Sequence, residues 1–200
     1  LPEGGRSAKG LALVNLLPIS QEETVTTVIP VSSFDPDSYL IMLTHQAYIK
    51  KVQMSDFANI RRNGIIAITL SDGDQLGWVR PSSGKSDVII GTSEGMCIRY
   101  SEYELRPLGR SARGVRAITL REGDKIVGFD AIEPSEGNYI LVVTNDGFGK
   151  RVRIEEFRQQ GRGGIGLIGT KFKNAQSRLA SLRVVKPGEE MMIATANGVV

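Results

Sequence analysis

One short segment rich in glycine and arginine returns four times at a nearly constant interval, and it constrains the fold more than any other feature. Its copies are Gly5-Arg6-Ser7-Ala8-Lys9-Gly10, the worn Ile60-Arg61-Arg62-Asn63-Gly64, Gly109-Arg110-Ser111-Ala112-Arg113-Gly114 and Gly161-Arg162-Gly163-Gly164-Ile165-Gly166. The last glycine falls at 10, 64, 114 and 166, so the spacings are 54, 50 and 52 residues. A turn recurs as His45-Gln46-Ala47, Ser93-Glu94-Gly95, Asn145-Asp146-Gly147 and Ala196-Asn197-Gly198, and its third residue steps by 48, 52 and 51. Two independent landmarks that share one period mark tandem repeats.

The third repeat, 109–157, is the cleanest copy. Apolar alternation at 115–120 leads to a Glu122-Gly123-Asp124 turn, a strand at 126–129, a β-rich run at 139–144, the Asn145-Asp146-Gly147 turn and a last strand at 148–152. Four short strands between glycine turns in about fifty residues match the size of a propeller blade. The same reading places strands at 11–17, 24–30, 39–44 and 48–52 in the first repeat, and at 65–70, 75–79, 87–92 and 96–100 in the second. The fourth repeat has no clear strand through Lys171-Phe172-Lys173 and resumes at 191–194. Long apolar runs predict inner strands buried on both faces, whereas Lys50-Lys51 predicts a more exposed outer position. Only 54–57 and 154–157 offer a helical turn. The expected fold class is all-β: tandem four-stranded, propeller-like blades at about 5–60, 61–108, 109–160 and a truncated 161–200. The chain opens at Leu1 without a methionine and stops at Asn197-Gly198-Val199-Val200 inside a hairpin, which predicts a fragment of something larger.

A hydrophobic content of 40% supports a sizeable core, and plentiful Val, Ile and Thr against 6% aromatics favour strands. Twenty-five basic and 22 acidic side chains give a net charge of +3 and a pI near 9.1. That excess is too mild to identify a nucleic-acid partner, so the placement of charge decides. A single cysteine, Cys97, excludes an intramolecular disulfide and points to a reducing compartment. No apolar run approaches the ~20 residues of a membrane span, and no membrane partner is expected.

Catalytic and metal chemistry find little to work with. One histidine and one cysteine cannot assemble the usual His/Cys zinc site, so no metal is expected. His45 sits in a turn and reads as solvent-facing, although the sequence leaves open a Ser-His-Asp arrangement around it. Cys97 lies in an apolar strand and reads as a buried, inert thiol. The Gly161–166 segment lacks the Lys-Ser/Thr ending of a P-loop and no helix follows it. The pairs Asp72/Asp74 and Glu122/Asp124 recur at one turn, which argues for hairpin geometry over paired-carboxylate catalysis. No cofactor and no catalytic residue are expected.

What does recur is positive charge at two phases of the repeat. Arg6, Lys9, Arg61, Arg62, Arg110, Arg113 and Arg162 stand beside the repeat glycines, and Lys50, Lys51, Arg99, Lys150 and Arg151 follow the hairpin turn. Glycine lets a backbone approach a phosphate and a nearby cation neutralises it. Repeats stacked around an axis would place these charges on one rim, with Arg116 and Lys171 as weaker members. Solvated charge that keeps outer strands from pairing is the plainer alternative.

Three stretches carry a resemblance to a known family. Pro2-Glu3-Gly4-Gly5-Arg6-Ser7-Ala8-Lys9-Gly10 with Val14-Asn15-Leu16-Leu17-Pro18, then Gly109 to Arg116, and Asn145-Asp146-Gly147-Phe148-Gly149-Lys150-Arg151 resemble the C-terminal domain of the DNA gyrase A subunit. The related topoisomerase IV subunit shares the repeat but fits these stretches less well. The resemblance implies a β-pinwheel, a propeller-like disc whose blades exchange strands. It implies a non-catalytic domain that bends duplex DNA around a basic rim in support of negative supercoiling. The cleaving tyrosine lies elsewhere in the gyrase A polypeptide and the ATPase in its partner. The implied partners are therefore duplex DNA, the remainder of gyrase A, and the ATPase subunit of gyrase. The implied setting is the bacterial cytoplasm or an organelle of bacterial origin. The family's box, Gln-Arg-Arg-Gly-Gly-Lys-Gly, has its nearest counterpart in Gln160 to Gly166, which keeps five of seven residues and reads as a blade-junction relative. A propeller used as a protein-interaction scaffold is the rival function; a propeller enzyme would need a convergent polar cluster.

Overall fold

The computed structural model describes residues 3–20, 22–61, 63–134 and 138–194. Three antiparallel sheets make up its architecture. In the first, β1 (Tyr39–Thr44) and β2 (Tyr48–Gln53) form a hairpin, β3 (Leu76–Ser82) pairs the free side of β1 and the short β6 (Val115–Arg116) pairs the free side of β2. The second repeats this plan with the hairpin β4 (Asp87–Thr92) and β5 (Met96–Ser101), flanked by β7 (Ile126–Ile132) and β10 (Leu167–Ile168). The third contains the hairpin β8 (Tyr139–Thr144) and β9 (Gly149–Arg153) with β11 (Leu179–Val185) beside β8. Each hairpin thus takes strands from later repeats, so a sheet is a composite of neighbours, as the β-pinwheel resemblance implies.

The sheets pack face to face and bury their core in the seams. Along β4 every residue is buried. Val88 and Ile90 pack toward the first sheet with Ile41, Leu43 and Ile49, while Ile89 packs toward the third with Ile140, Val142 and Leu182. A strand covered on both faces needs an unbroken apolar run, which Val88-Ile89-Ile90 supplies. Strands β3 and β11 both pack against β7. Arg80, Asp130 and Arg183 occupy equivalent register positions on them, opposite Ile41, Ile89 and Leu141. Arg80 Nε donates to Asp130 Oδ1 at 2.8 Å and Arg183 Nε lies 3.8 Å from Asp130 Oδ2, so alternating charge ties the three sheets.

The repeat glycines have a steric cause. Gly114 has φ +101° and a Cβ there would come within 2.5 Å of the Ile49 carbonyl; Gly166 has φ +89° and would meet the Cys97 carbonyl at 2.7 Å. These are the points where the chain enters β6 and β10, and only glycine fits a left-handed backbone laid on a neighbouring strand. The recurrent turn acids are also structural. Asp74 Oδ1 accepts from the Gln46 amide and Asp124 Oδ1 from the Glu94 amide, both at 2.9 Å, so each caps the hairpin turn of the preceding repeat.

Several expectations change. No strand forms at 11–17, 24–30, 65–70 or 191–194, and the alternation at 115–120 contributes only two paired residues. Ala117 and Ile118 are buried in a seam instead, where packing holds them without a ladder. Short 3-10 turns form at Met54–Phe57 and Ile154–Glu156, as expected, and β11 was not anticipated. Lys50 and Lys51 are not an exposed outer pair: both are buried, because β6 and its preceding loop cover β2. The turn Ala196-Asn197-Gly198 lies outside the described residues.

Candidate nucleic-acid interface

The loop 109–114 and strand β6 form the outer margin of the first sheet, and the loop 161–166 with β10 forms that of the second. Lys50 holds the first loop from beneath. Its Nζ donates to the carbonyls of Ala67 at 2.7 Å, Ala112 at 2.9 Å and Arg110. Burial first, then the Arg110 guanidinium, push the Lys50 pKa down to about 8, with Asp56 opposing.

On that support Arg113 and Arg116, both exposed, flank one aromatic ring. Their guanidinium carbons lie 4.5 and 5.7 Å from the Tyr48 centroid. The half-buried Arg162 joins them from the next loop: its Nη1 donates to the Arg116 carbonyl at 2.7 Å and its backbone N–H to Glu104 at 2.7 Å. Thr119 Oγ1 donates to the Gly163 carbonyl at 2.7 Å and the Gly163 N–H to Ala117 at 3.0 Å, which fixes one glycine loop against the strand leaving the other. Arg110, half-buried, shares with Arg61 a cleft of about 1060 Å3 that also includes Gly64. Arg61, Arg110, Arg113, Arg116 and Arg162 therefore gather along the margin of the first two sheets, with aromatic surface and backbone amides among the cations.

Other predicted residues go elsewhere. Lys51 is engaged inside the chain, 3.2 Å from Glu102 Oε1 and over the Tyr39 ring. Arg99 pairs with Asp87 at 2.5 Å and donates to the carbonyls of Ile154 and Phe157. These two cations link neighbouring sheets in the interior and Lys50 anchors the loop over its own strand, which corrects the reading of all three as rim charges: a cation on a strand covered by a neighbour must find its partner inside. Lys150 and Arg151 are exposed on β9, with Arg151 5.1 Å from the Tyr139 centroid. Lys150 and Lys171 line a cavity of about 220 Å3 with Phe148 and Lys173. Lys173, 5.2 Å over the Phe148 ring, was missed; no landmark of the repeat marks its position. Arg6 and Lys9 are exposed and outside any sheet. Arg62 lies outside the described residues.

His45 is exposed in its turn and rests against Trp78, ring centroids 4.9 Å apart. Cys97 is buried, and burial pushes its thiol up to about 12, where it is inert as a nucleophile. Among the described residues no group of three or more His, Cys, Asp or Glu could hold a metal ion, and no helix is long and apolar enough to cross a membrane.

A family model described as the DNA gyrase C-terminal domain, beta-propeller, matches residues 1–32, 38–83, 86–133 and 138–186. The DNA gyrase A subunit of Synechocystis sp. is 41% identical over 232 aligned residues, covering 100% of this chain and 27% of that protein. Its counterpart in Staphylococcus aureus is 38% identical over 201 residues, covering 100% of this chain and 23% of the relative. The chain thus spans about a quarter of the length of these relatives. Among solved structures, the C-terminal domain of DNA topoisomerase IV has a TM-score of 0.80 at 26% identity, covering 88% of this chain and 55% of that one. The DNA gyrase A C-terminal domain gives 0.77 at 23% identity over 90% and 59%, a likeness of fold. With four consecutive matches at the spacing of its repeat and such relatives beside them, the chain belongs to the DNA gyrase C-terminal domain family.

Proposed function

We propose that this chain binds duplex DNA without sequence preference, along the margin that carries Arg61, Arg110, Arg113, Arg116 and Arg162. The observation that supports it most is the Tyr48 cluster, where Arg113 and Arg116 share a ring and Arg162 bonds the Arg116 carbonyl. Four of these side chains stand on loops whose glycines let a phosphate come close and Arg116 on the strand that follows one of those loops, and none of the five has a carboxylate as its ion-pair partner among the described residues. Lys150, Arg151, Lys171, Arg6 and Lys9 are secondary contacts, and Arg62 belongs with Arg61.

Contacts repeated from sheet to sheet suit a bent duplex. Bending 20–30 base pairs costs on the order of several kcal/mol and needs many phosphate contacts to offset it. In this reading the chain is a non-catalytic part of gyrase A and wraps DNA in support of negative supercoiling. It works in the bacterial cytoplasm with the remainder of gyrase A and with the ATPase subunit of gyrase. Binding to linear duplexes of unrelated sequence at two salt concentrations tests it. Association that ignores sequence and collapses with salt is expected; no association at low salt would favour a protein-interaction scaffold.

A further inference from the structure

Lys50 is a cation buried where the fold does not require one. The registers of the first two sheets match, with Leu167 opposite Cys97 as Val115 is opposite Ile49, so Ile98 stands where Lys50 stands. Beneath loop 161–166 that position is apolar, and a Cβ at Gly164 would lie 3.7 Å from Ile98 Cδ1. The carbonyls of Gly163 and Gly164 turn instead to Thr119, which donates to them from Oγ1 at 2.7 Å and from its N–H at 2.9 Å. A buried lysine costs stability unless its ammonium is bonded, so its presence under loop 109–114 points to a requirement of that loop.

An ammonium has three N–H donors. Lys50 directs them to the carbonyls of Ala67 at 2.7 Å, Ala112 at 2.9 Å and Arg110, and the last two acceptors belong to the loop. In a trans peptide the carbonyl and the following N–H point in opposite directions. Holding the Arg110 and Ala112 carbonyls inward therefore turns the N–H groups of Ser111 and Arg113 outward. Both residues are exposed, and neither amide bonds another described residue. The peptide between them is tied within the protein: the Ser111 carbonyl accepts from Thr69 Oγ1 at 2.6 Å and the Ala112 N–H donates to Gly109 at 3.0 Å. Arg110 Nη1 donates to the Ile66 carbonyl at 3.3 Å and Arg113 Nη1 to Ser71 Oγ at 3.2 Å, which steadies both side chains beside the amides.

We propose that Lys50 is a positioning residue for DNA: its ammonium fixes loop 109–114 in the form that presents the Ser111 and Arg113 amides, with the Arg110 and Arg113 side chains, to the phosphodiester backbone. This inference rests on the DNA reading and deepens it. Backbone N–H groups hold a duplex in place without reading its sequence. The same geometry couples binding to one proton. A neutral amine has only two N–H donors, so Lys50 without its proton leaves one of three carbonyls unpaired. Burial lowers the Lys50 pKa most; of the charged groups that face it, Arg110 on the loop lowers it further and Asp56, in the turn after β2, raises it, to a balance of about 8. A phosphate on the loop offsets the Arg110 charge and favours the ammonium. DNA binding therefore takes up a proton near that pH and weakens as pH rises through it.

Binding of a short linear duplex by the chain and by Lys50→Met, at fixed low salt from about pH 7 to about pH 9.5, tests this coupling. At the lower pH Lys50→Met should bind roughly three- to tenfold more weakly than wild type, and the difference should close as pH rises. A lysine that only braces the fold would give a ratio independent of pH. Calorimetry near pH 8 in two buffers of different ionisation enthalpy supplies a readout that needs no variant: wild type should take up a fraction of a proton per complex. A constant ratio, or binding by wild type without proton uptake, would overturn the role of Lys50 and leave the DNA reading standing. No association at low salt would overturn the DNA reading and this inference with it.

Discussion

Lys50-Lys51 and Lys150-Arg151 occupy the same two positions of equivalent hairpins, and the chain treats them oppositely. The first pair is buried, Lys50 on three carbonyls and Lys51 on Glu102, whereas the second is exposed. What differs is the neighbour. Strand β6 and loop 109–114 lie over β2, while β9 has no such cover among the described residues. A cation in this repeat is therefore an interior link or a surface charge according to the strand beside it. Side-chain type and spacing do not decide.

Removing the partner of the buried cation should have the largest effect. Glu102→Ala leaves Lys51 charged and buried and should cost about 3–5 kcal/mol in denaturant unfolding. Arg151→Ala should stay within about 0.5 kcal/mol of wild type. Equal losses would refute the contrast.

Smaller but still unequal effects are expected at the glycines. Gly114→Ala places a methyl against the Ile49 carbonyl at positive φ and should cost roughly 2 kcal/mol or more, against about 1 kcal/mol for Gly10→Ala, where only the φ is unfavourable. Lys50→Met leaves three carbonyls without their donor and should cost about 2 kcal/mol, while Lys150→Met should be nearly neutral. Thermal denaturation of the four single variants checks both pairs.

The smallest expected effect is on the pH dependence of stability. Folded Lys50 releases its proton near pH 8, below its ordinary 10.5. Between those values the unfolded chain binds a proton that the folded chain does not, so the Lys50 contribution to stability rises with pH. The stability of wild type relative to Lys50→Met should climb across that window. A flat difference would show that burial leaves Lys50 unperturbed.

The hairpins were legible because alternating strands and their turns are local signals. Tyr39–Thr44, Asp87–Thr92 and Tyr139–Thr144 fall where the sequence places them. Which sheet a flanking strand joins is not local: β3 and β6 close the first sheet from residues 76–82 and 115–116. Leu179–Val185 is not legible because no glycine landmark announces it, although its Arg183 continues the Arg80-Asp130 charge alternation. In the candidate interface, Arg113 and Arg162 were legible from their phase beside the repeat glycines. The diversion of Arg99 to Asp87 was not, because its position matches that of the exposed Arg151.

In the proposed function, Arg110, Arg113, Arg116 and Arg162 contact phosphate. The most direct test is the salt dependence of duplex DNA binding by wild type and by Arg110/Arg113/Arg116/Arg162→Ala, with Arg80→Ala as an interior control. Each lost phosphate contact should flatten the slope of log K against log salt by roughly 0.9, so the fourfold variant should flatten it by about 3–4 while the control retains the wild-type slope. A fourfold variant that binds with an unchanged slope would contradict the account.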